Sequence, residues 1–383
     1  MRRLFLSLVL CTCAPLVAQA FFFRPSVADP AITNFNDFQF GYAPVAPARN
    51  TLVIFLPGTG GKPAGYNEFL EAARDAGFHS LGLCYPNGTG IGEACENDPA
   101  SNCFFDIRME IIDGTDRVTN IAVDRVNSIE NRLYKSLAYL AIDRPSENWG
   151  QFIDGTNANW PRIIIAGHSQ GGGHAAVMAK THYLRRALVF ANADWWTISN
   201  KPAAWLSAPS VTPQAGYFHF SHRLDPLATS SVVLAAWSVA GLTNIVPSVT
   251  ADNMADPFDC SHLLFTDLDP PTNGFDGVED YHNMPVLDAT TPMTTNGEPV
   301  YLDIWKHMLA GASERVEHLI TLNSGGPAMI YMTCTGLLYN VEASSNGTDY
   351  VTQGSPFQGT GASVTTDIAN ATLNLHRVST ITE

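Results

Sequence analysis

The chain has 383 residues, 45% of them hydrophobic and 15% charged, with Lys+Arg 21 against Asp+Glu 36 and a formal net charge of −15. This is the composition of a packed globule and excludes intrinsic disorder, collagen and coiled coil. The acidic balance also argues against a nucleic-acid binder, because phosphate recognition needs clustered Lys and Arg and no basic run exists beyond Arg2-Arg3 and Arg185-Arg186.

In chain order, Arg2-Arg3, the apolar stretch 4–17 and Ala18-Gln19-Ala20 have the three parts of a secretory signal peptide. Residues 1–20 are therefore expected to be removed, leaving a secreted or periplasmic protein. Residues 21–49 read as an N-terminal extension. No later apolar run reaches the roughly 18 residues that a membrane helix needs. The nearest, 232–242, reads as a buried helix, so no membrane span is expected.

From residue 51 to about 310, short apolar β-branched runs alternate with longer amphipathic ones. That pattern predicts an α/β domain with a mostly parallel sheet and helices on both faces. Strands are expected at 51–56, 78–84, 162–167, 187–191, 217–221 and 263–267, and helices at 66–76, 123–141, 172–184, 231–240 and 300–309. In 123–141, Val126, Ile129, Leu133, Leu137 and Leu140 recur at three and four residues and give one apolar face.

Residues 192–215 carry Trp195, Trp196 and Trp205 among Pro and Ser without a period, and read as an insertion over the carboxyl edge of the sheet. Trp195 and Trp196 are candidates to line an acyl or aryl pocket, with packing of a lid as the other account of them. Beyond residue 311 the chain turns rich in Ser, Thr, Gly and Asn, which suggests a tail or a small β appendage.

Cys11 and Cys13 fall within the signal, leaving Cys84, Cys95, Cys103, Cys260 and Cys334. The odd number requires at least one free or intermolecular thiol. Cys95 and Cys103 flank a short polar loop and are expected to pair in an oxidising compartment, with Cys260–Cys334 as a second candidate and Cys84 as a packed thiol. Asn87, Asn346 and Asn370 each begin an Asn-x-Thr glycosylation sequon. No Cys or His spacing suggests a metal, and no dinucleotide or phosphate-loop fingerprint suggests a cofactor.

The stretch that carries chemistry is Gly167-His168-Ser169-Gln170-Gly171, a Gly-x-Ser-x-Gly between a β run and a helix-forming run. So tight a strand-to-helix turn strains Ser169, lifts its hydroxyl above the sheet and aims free helix N–H groups at the same point.

On this motif the chain resembles the α/β-hydrolase superfamily, particularly secreted serine esterases and lipases, over about residues 50–310. The resemblance implies that fold, a serine nucleophile, and a triad in the order Ser, acid, His. It also implies an oxyanion loop after an early strand, here Leu56-Pro57-Gly58-Thr59-Gly60-Gly61, with Pro57-Gly58 where family members often have His-Gly. The two oxyanion donors would be the N–H groups of Thr59 and Gln170.

For the acid, Asp225 follows the predicted strand 217–221, and Asp194 is the rival after 187–191. For the base, His282 follows the last predicted strand and precedes the last core helix. His219, His262 and His307 sit in or at the entry of predicted elements, and His222 is close enough to Asp225 to support it. The activity implied is hydrolysis of a small-molecule or polymeric carboxylic ester through Ser169, His282 and Asp225. Two alternatives stay open: a serine peptidase or amidase on the same fold, and a non-catalytic secreted binding scaffold.

Overall fold

The structure, a computed structural model, describes residues 19–45, 47–243, 247–271 and 280–310, together with the backbone of residue 244 and of seven strands between residues 319 and 381. Most of the expected signal peptide, and Cys334, Asn346 and Asn370, lie outside the described residues.

Nine strands form one sheet: β1 (Phe21–Phe23), β2 (Gln39–Tyr42), β3 (Leu52–Leu56), β4 (His79–Gly82), β5 (Ile163–His168), β6 (Arg186–Phe190), β7 (Tyr217–His222), β8 (Val249–Thr250) and β9 (Leu263–Thr266). Their order is β1-β2-β4-β3-β5-β6-β7-β9-β8. Every neighbouring pair from β4 to β8 is parallel, while β2 runs antiparallel to both β1 and β4. The chain is thus of the α/β class, with a large, mostly parallel central sheet.

The strand sequences explain why both faces are covered. Leu-Val-Ile-Phe-Leu of β3 is buried throughout, with Leu52, Ile54 and Leu56 in one hydrophobic core and Val53 and Phe55 in another. Ile163 and Ile165 of β5 join the first core, and Ile164 and Ala166 the second. Side chains alternate between faces with a period of two, so an unbroken apolar run is stable only where helices cover both sides. The first core is closed by α2 (Cys103–Asp113), α3 (Ile129–Asp143), α4 (Gln170–Thr181) and α5 (Ser230–Val239), the second by α1 (Asn67–Asp75) and α6 (Leu302–Ala310).

Three differences from the sequence expectations have local causes. The helix expected over 123–141 begins at Ile129, where Ser128 Oγ accepts the Asn131 N–H at 3.3 Å and caps the first turn. Residues 21–49 supply the edge strands β1 and β2, only three and four residues long and so too short to show a period. Helix α2 has no counterpart among the predicted elements. It starts at Cys103, whose disulfide to Cys95 closes the polar loop before it, and ends at Gly114 with φ 75°.

Cys84 is buried and free, and its thiol donates to the Phe35 carbonyl at 2.9 Å; Cys260 is disulfide-bonded. Beyond residue 318, two antiparallel sheets are described. One joins Leu319–Asn323, Gly326–Met332 and Ser363–Asp367, and the other packs Val351–Thr352, Phe357–Gln358 and Leu375–Ile381 against Leu338–Ser344. Among the described residues no helix is long and apolar enough to cross a membrane.

Candidate active site

At the carboxyl end of β5 the chain turns directly into α4 through Ser169, whose φ of 51° and ψ of −119° are unusual for a residue with a side chain. Such a conformation costs on the order of 1–3 kcal/mol and persists only where neighbours enforce it. Here the Ser169 N–H donates to the Phe190 carbonyl at 2.8 Å, and its own carbonyl accepts the Gly173 N–H at 3.1 Å. The flanking glycines follow from close approach. A Cβ on Gly171 would lie 1.9 Å from the Leu56 oxygen, and one on Gly167 would lie 2.3 Å from the Gly171 carbonyl.

The loop after β3 has four N–H groups in question, and three are committed. Gly58 donates to Tyr66 Oη at 3.2 Å, Gly60 to the Asn87 carbonyl at 2.9 Å and Gly61 to the Gly58 carbonyl at 3.0 Å. The Thr59 N–H has no partner among the described residues, and neither has the Gln170 N–H that opens α4. Thr59 Oγ1 donates to Gln170 Oε1 at 2.7 Å and ties the loop to the elbow. The N–H groups of the two sequence-predicted oxyanion donors are therefore unspent among the described residues, and their side chains are tied to each other.

Asn87 holds this loop from the other side, donating through Nδ2 to the carbonyls of Gly58 at 2.7 Å and Gly61 at 2.9 Å. Asn87 begins a sequon, but it is buried, and the nitrogen a glycan would take is already used twice.

Asp225, 1% exposed, follows β7. Its Oδ1 accepts the N–H groups of Leu227 and Ala228 at 2.8 and 2.9 Å, and its Oδ2 faces His282 Nδ1 at 2.8 Å. Burial pushes the carboxyl pKa up, but the hydrogen bond and charge of His282 with the two backbone donors outweigh it, holding Asp225 below the usual value. A carboxylate only accepts, so this bond fixes a proton on His282 Nδ1 and leaves Nε2 as the ring nitrogen turned away from Asp225. That Nε2 is buried without a partner, as is Gln170 Nε2. Orphaned buried polar atoms are uncommon and call for an explanation.

His282 lies in the one-turn helix Asp280–Asn283 rather than on an open loop. Its ring is 5.1 Å from that of His168, the residue before Ser169, and its carbonyl is 3.1 Å from His168 Nε2.

Asp194 is placed elsewhere. Both its oxygens meet Arg108, at 2.8 and 2.6 Å, and Trp205 Nε1 donates to Oδ2 at 2.9 Å. Arg108 in turn donates to the Gln170 carbonyl at 2.8 Å, entering where a Cβ on Gly173 would sit 2.1 Å from its guanidinium. Asp194 and Arg108 thus buttress the start of α4.

The other histidines weighed as the base are engaged in packing. Nε2 of His222 bonds the Leu268 carbonyl, Nδ1 of His262 that of Tyr217, and Nε2 of His307 that of Ser261, while His219 accepts from Trp237 Nε1.

Trp195 and Trp196 pair with Lys201–Pro202 in a two-stranded ribbon, and Trp196 Nε1 donates to the Asp98 carbonyl of the disulfide loop at 3.1 Å. A cavity of about 550 Å³ between α4 and α5 is lined by Trp205, Trp237 and His219, but by neither Trp195 nor Trp196, and Ser169, Asp225 and His282 are not in its wall. Among the described residues no group of His, Cys, Asp and Glu is arranged to hold a metal ion.

Sequence reasoning does not assign Tyr66, His168, Asn87 or Arg108 to this site. Asn87 is visible there only as a sequon, His168 only as the first variable residue of the motif, and neither Tyr66 nor Arg108 carries a local signature. Comparison of the chain with protein-family models and with curated proteins finds no match.

Proposed function

We propose that the protein is a serine hydrolase of the α/β-hydrolase type that cleaves carboxylic esters. The observation that carries this is the state of the base. His282 is fixed through Nδ1 on a buried carboxylate, its Nε2 is buried without a partner, and its ring lies 5.1 Å from that of His168, the residue before Ser169 on the strained elbow. Ser169 Oγ attacks the ester carbonyl while His282 Nε2 takes its proton, and Asp225 stabilises the resulting imidazolium. The free N–H groups of Thr59 and Gln170 receive the negative charge that develops on the carbonyl oxygen, each such donor being worth roughly 3 kcal/mol of barrier. His282 then gives the proton to the departing alkoxide, leaving Ser169 acylated, and water completes hydrolysis by the same steps in reverse order.

In this scheme Ser169 reacts covalently with a fluorophosphonate probe, and short p-nitrophenyl esters are hydrolysed with an initial burst as acyl-enzyme accumulates. Failure of the folded protein to label would favour a binding scaffold. Labelling with amide cleavage well above ester cleavage would favour a peptidase or amidase.

The Cys95–Cys103 disulfide supports maturation in an oxidising compartment, in line with a cleaved leader. Secreted material is expected to begin near Phe21, and an intact Met1 on N-terminal sequencing would remove the signal peptide.

A further inference from the structure

Three hydrogen bonds run end to end beneath the site. The Gly58 N–H donates to Tyr66 Oη at 3.2 Å, Tyr66 Oη meets His168 Nδ1 at 3.0 Å, and His168 Nε2 meets the His282 carbonyl at 3.1 Å. Their direction is fixed by the His282 carbonyl and the neutral state of His168. The His282 carbonyl can only accept, so His168 carries a proton on Nε2; because burial keeps that ring neutral, Nδ1 is bare and accepts the Tyr66 hydroxyl proton, while Tyr66 Oη accepts from the Gly58 N–H.

We propose that Tyr66 and His168 are positioning residues: a neutral relay that joins the oxyanion loop at Gly58 to the main chain of the general base at His282. The proposal rests on the serine-hydrolase reading and goes beyond it, because neither residue touches the reacting atoms.

The relay is anchored on rigid elements. Tyr66 is 2% exposed and packs on Phe55 of β3 with ring centroids 4.4 Å apart, and His168, 3% exposed, is the last residue of β5. Both ends that it grips are turns, which hold their geometry only as well as their supports do. At one end, taking the Gly58 N–H leaves Thr59 as the loop's unspent donor. At the other, a fixed His282 carbonyl sets the backbone from which the imidazole reaches Asp225.

Neutrality has a purpose as well. Burial, with the nearby charge of His282 adding to it, pushes the His168 pKa down to about 3. His168 therefore adds no positive charge beside His282 when His282 becomes an imidazolium. Tyr66, by occupying Nδ1 as a donor, blocks the nitrogen through which His168 would gain one.

The decisive variant is Tyr66→Phe, which removes one oxygen and keeps the ring packing. With p-nitrophenyl acetate as substrate, kcat is expected to fall about 10- to 100-fold while KM changes by no more than about twofold, since ground-state contacts are untouched. His168→Gln, which keeps an acceptor and a donor and cannot charge, is expected to retain most of the activity. His168→Leu is expected to lose as much as Tyr66→Phe, and the double variant no more than either, because one break opens the whole chain.

In protein carrying ¹⁵N-histidine, the His168 ring should show a bare Nδ1 and a protonated Nε2 from pH 8 to pH 5, a readout that does not depend on turnover. A kcat for Tyr66→Phe within twofold of wild type, losses that multiply in the double variant, or a proton on Nδ1 would each overturn the relay while leaving an active wild type as a hydrolase. A wild type inert to both ester and fluorophosphonate would instead overturn the hydrolase and the relay with it.

Discussion

Ser169→Ala, His282→Ala and Asp225→Asn are each expected to lower kcat on a p-nitrophenyl ester by roughly 10,000-fold or more, with the folded state intact by circular dichroism. In the proposed hydrolase the serine and histidine variants remove the nucleophile and the base outright. Asp225→Asn acts through the tautomer, because the N–H groups of Leu227 and Ala228 hold the amide oxygen, and the amide NH2 then faces His282 Nδ1, donates to it and puts the ring proton on Nε2. The three losses should not add: once one member is gone the others have no partner, and what remains comes from the N–H groups of Thr59 and Gln170.

Asp194→Asn serves as the internal control. It leaves Arg108 buried against a neutral group, so it should cost stability, about 3–5 kcal/mol by chemical denaturation, far more than it costs turnover per folded molecule. An Asp194→Asn protein that is stable but inactive, beside an active Asp225→Asn protein, would show that the acid of the triad has been misassigned.

The second large effect is loss of stability in mild acid. His168 and His219 have pKa values pushed down to about 3 by burial, His262 to about 4, and His174 well below the ordinary value, burial being the largest cause in each case. A histidine whose pKa is depressed in the folded state takes up a proton on unfolding once the pH drops below the unfolded value near 6.5. Its penalty is therefore absent at pH 8, grows as the pH falls through 6.5, and levels off only below the folded value.

At pH 5 each of His168, His219 and His262 contributes on the order of 2 kcal/mol, together a large share of the stability of an ordinary domain, and His174 acts in the same direction. Asp288 opposes them in part. Its pKa is raised to about 7, mainly by burial, so acidification from pH 8 relieves its buried charge. The carboxylate of Asp225, held low, adds its own loss only when the pH falls below about 4.

The thermal midpoint is expected to drop by many degrees between pH 7.5 and pH 5, before most carboxylates titrate. A midpoint that stays flat over that interval would mean that these rings protonate freely and are not buried as described.

Part of this organisation is written in the sequence because its causes are local. The apolar run of β3 and the Ile-Ile-Ile of β5 announce strands buried on both faces, since the alternation of side chains is a property of a few consecutive residues. Gly167 and Gly171 announce a turn too tight for side chains, and Cys95 and Cys103, eight residues apart, are close enough for the loop between them to suggest their pairing.

What the tertiary structure decided is the choice among distant partners. Sequence narrows the acid to Asp225 or Asp194; the fold gives Asp225 to His282, 57 positions away, and Asp194 to Arg108, 86 away. Asn87 reads as a sequon by its neighbours and becomes a clamp on Gly58 and Gly61 only when β3 and β4 lie side by side. Tyr66 and His168, 102 positions apart, meet because the elbow of β5 packs against the turn that leads into α1. Hydrogen-bond partners separated by so much chain leave no periodicity or spacing behind, because what brings them together is the packing of whole strands and helices rather than the conformation of the residues between them.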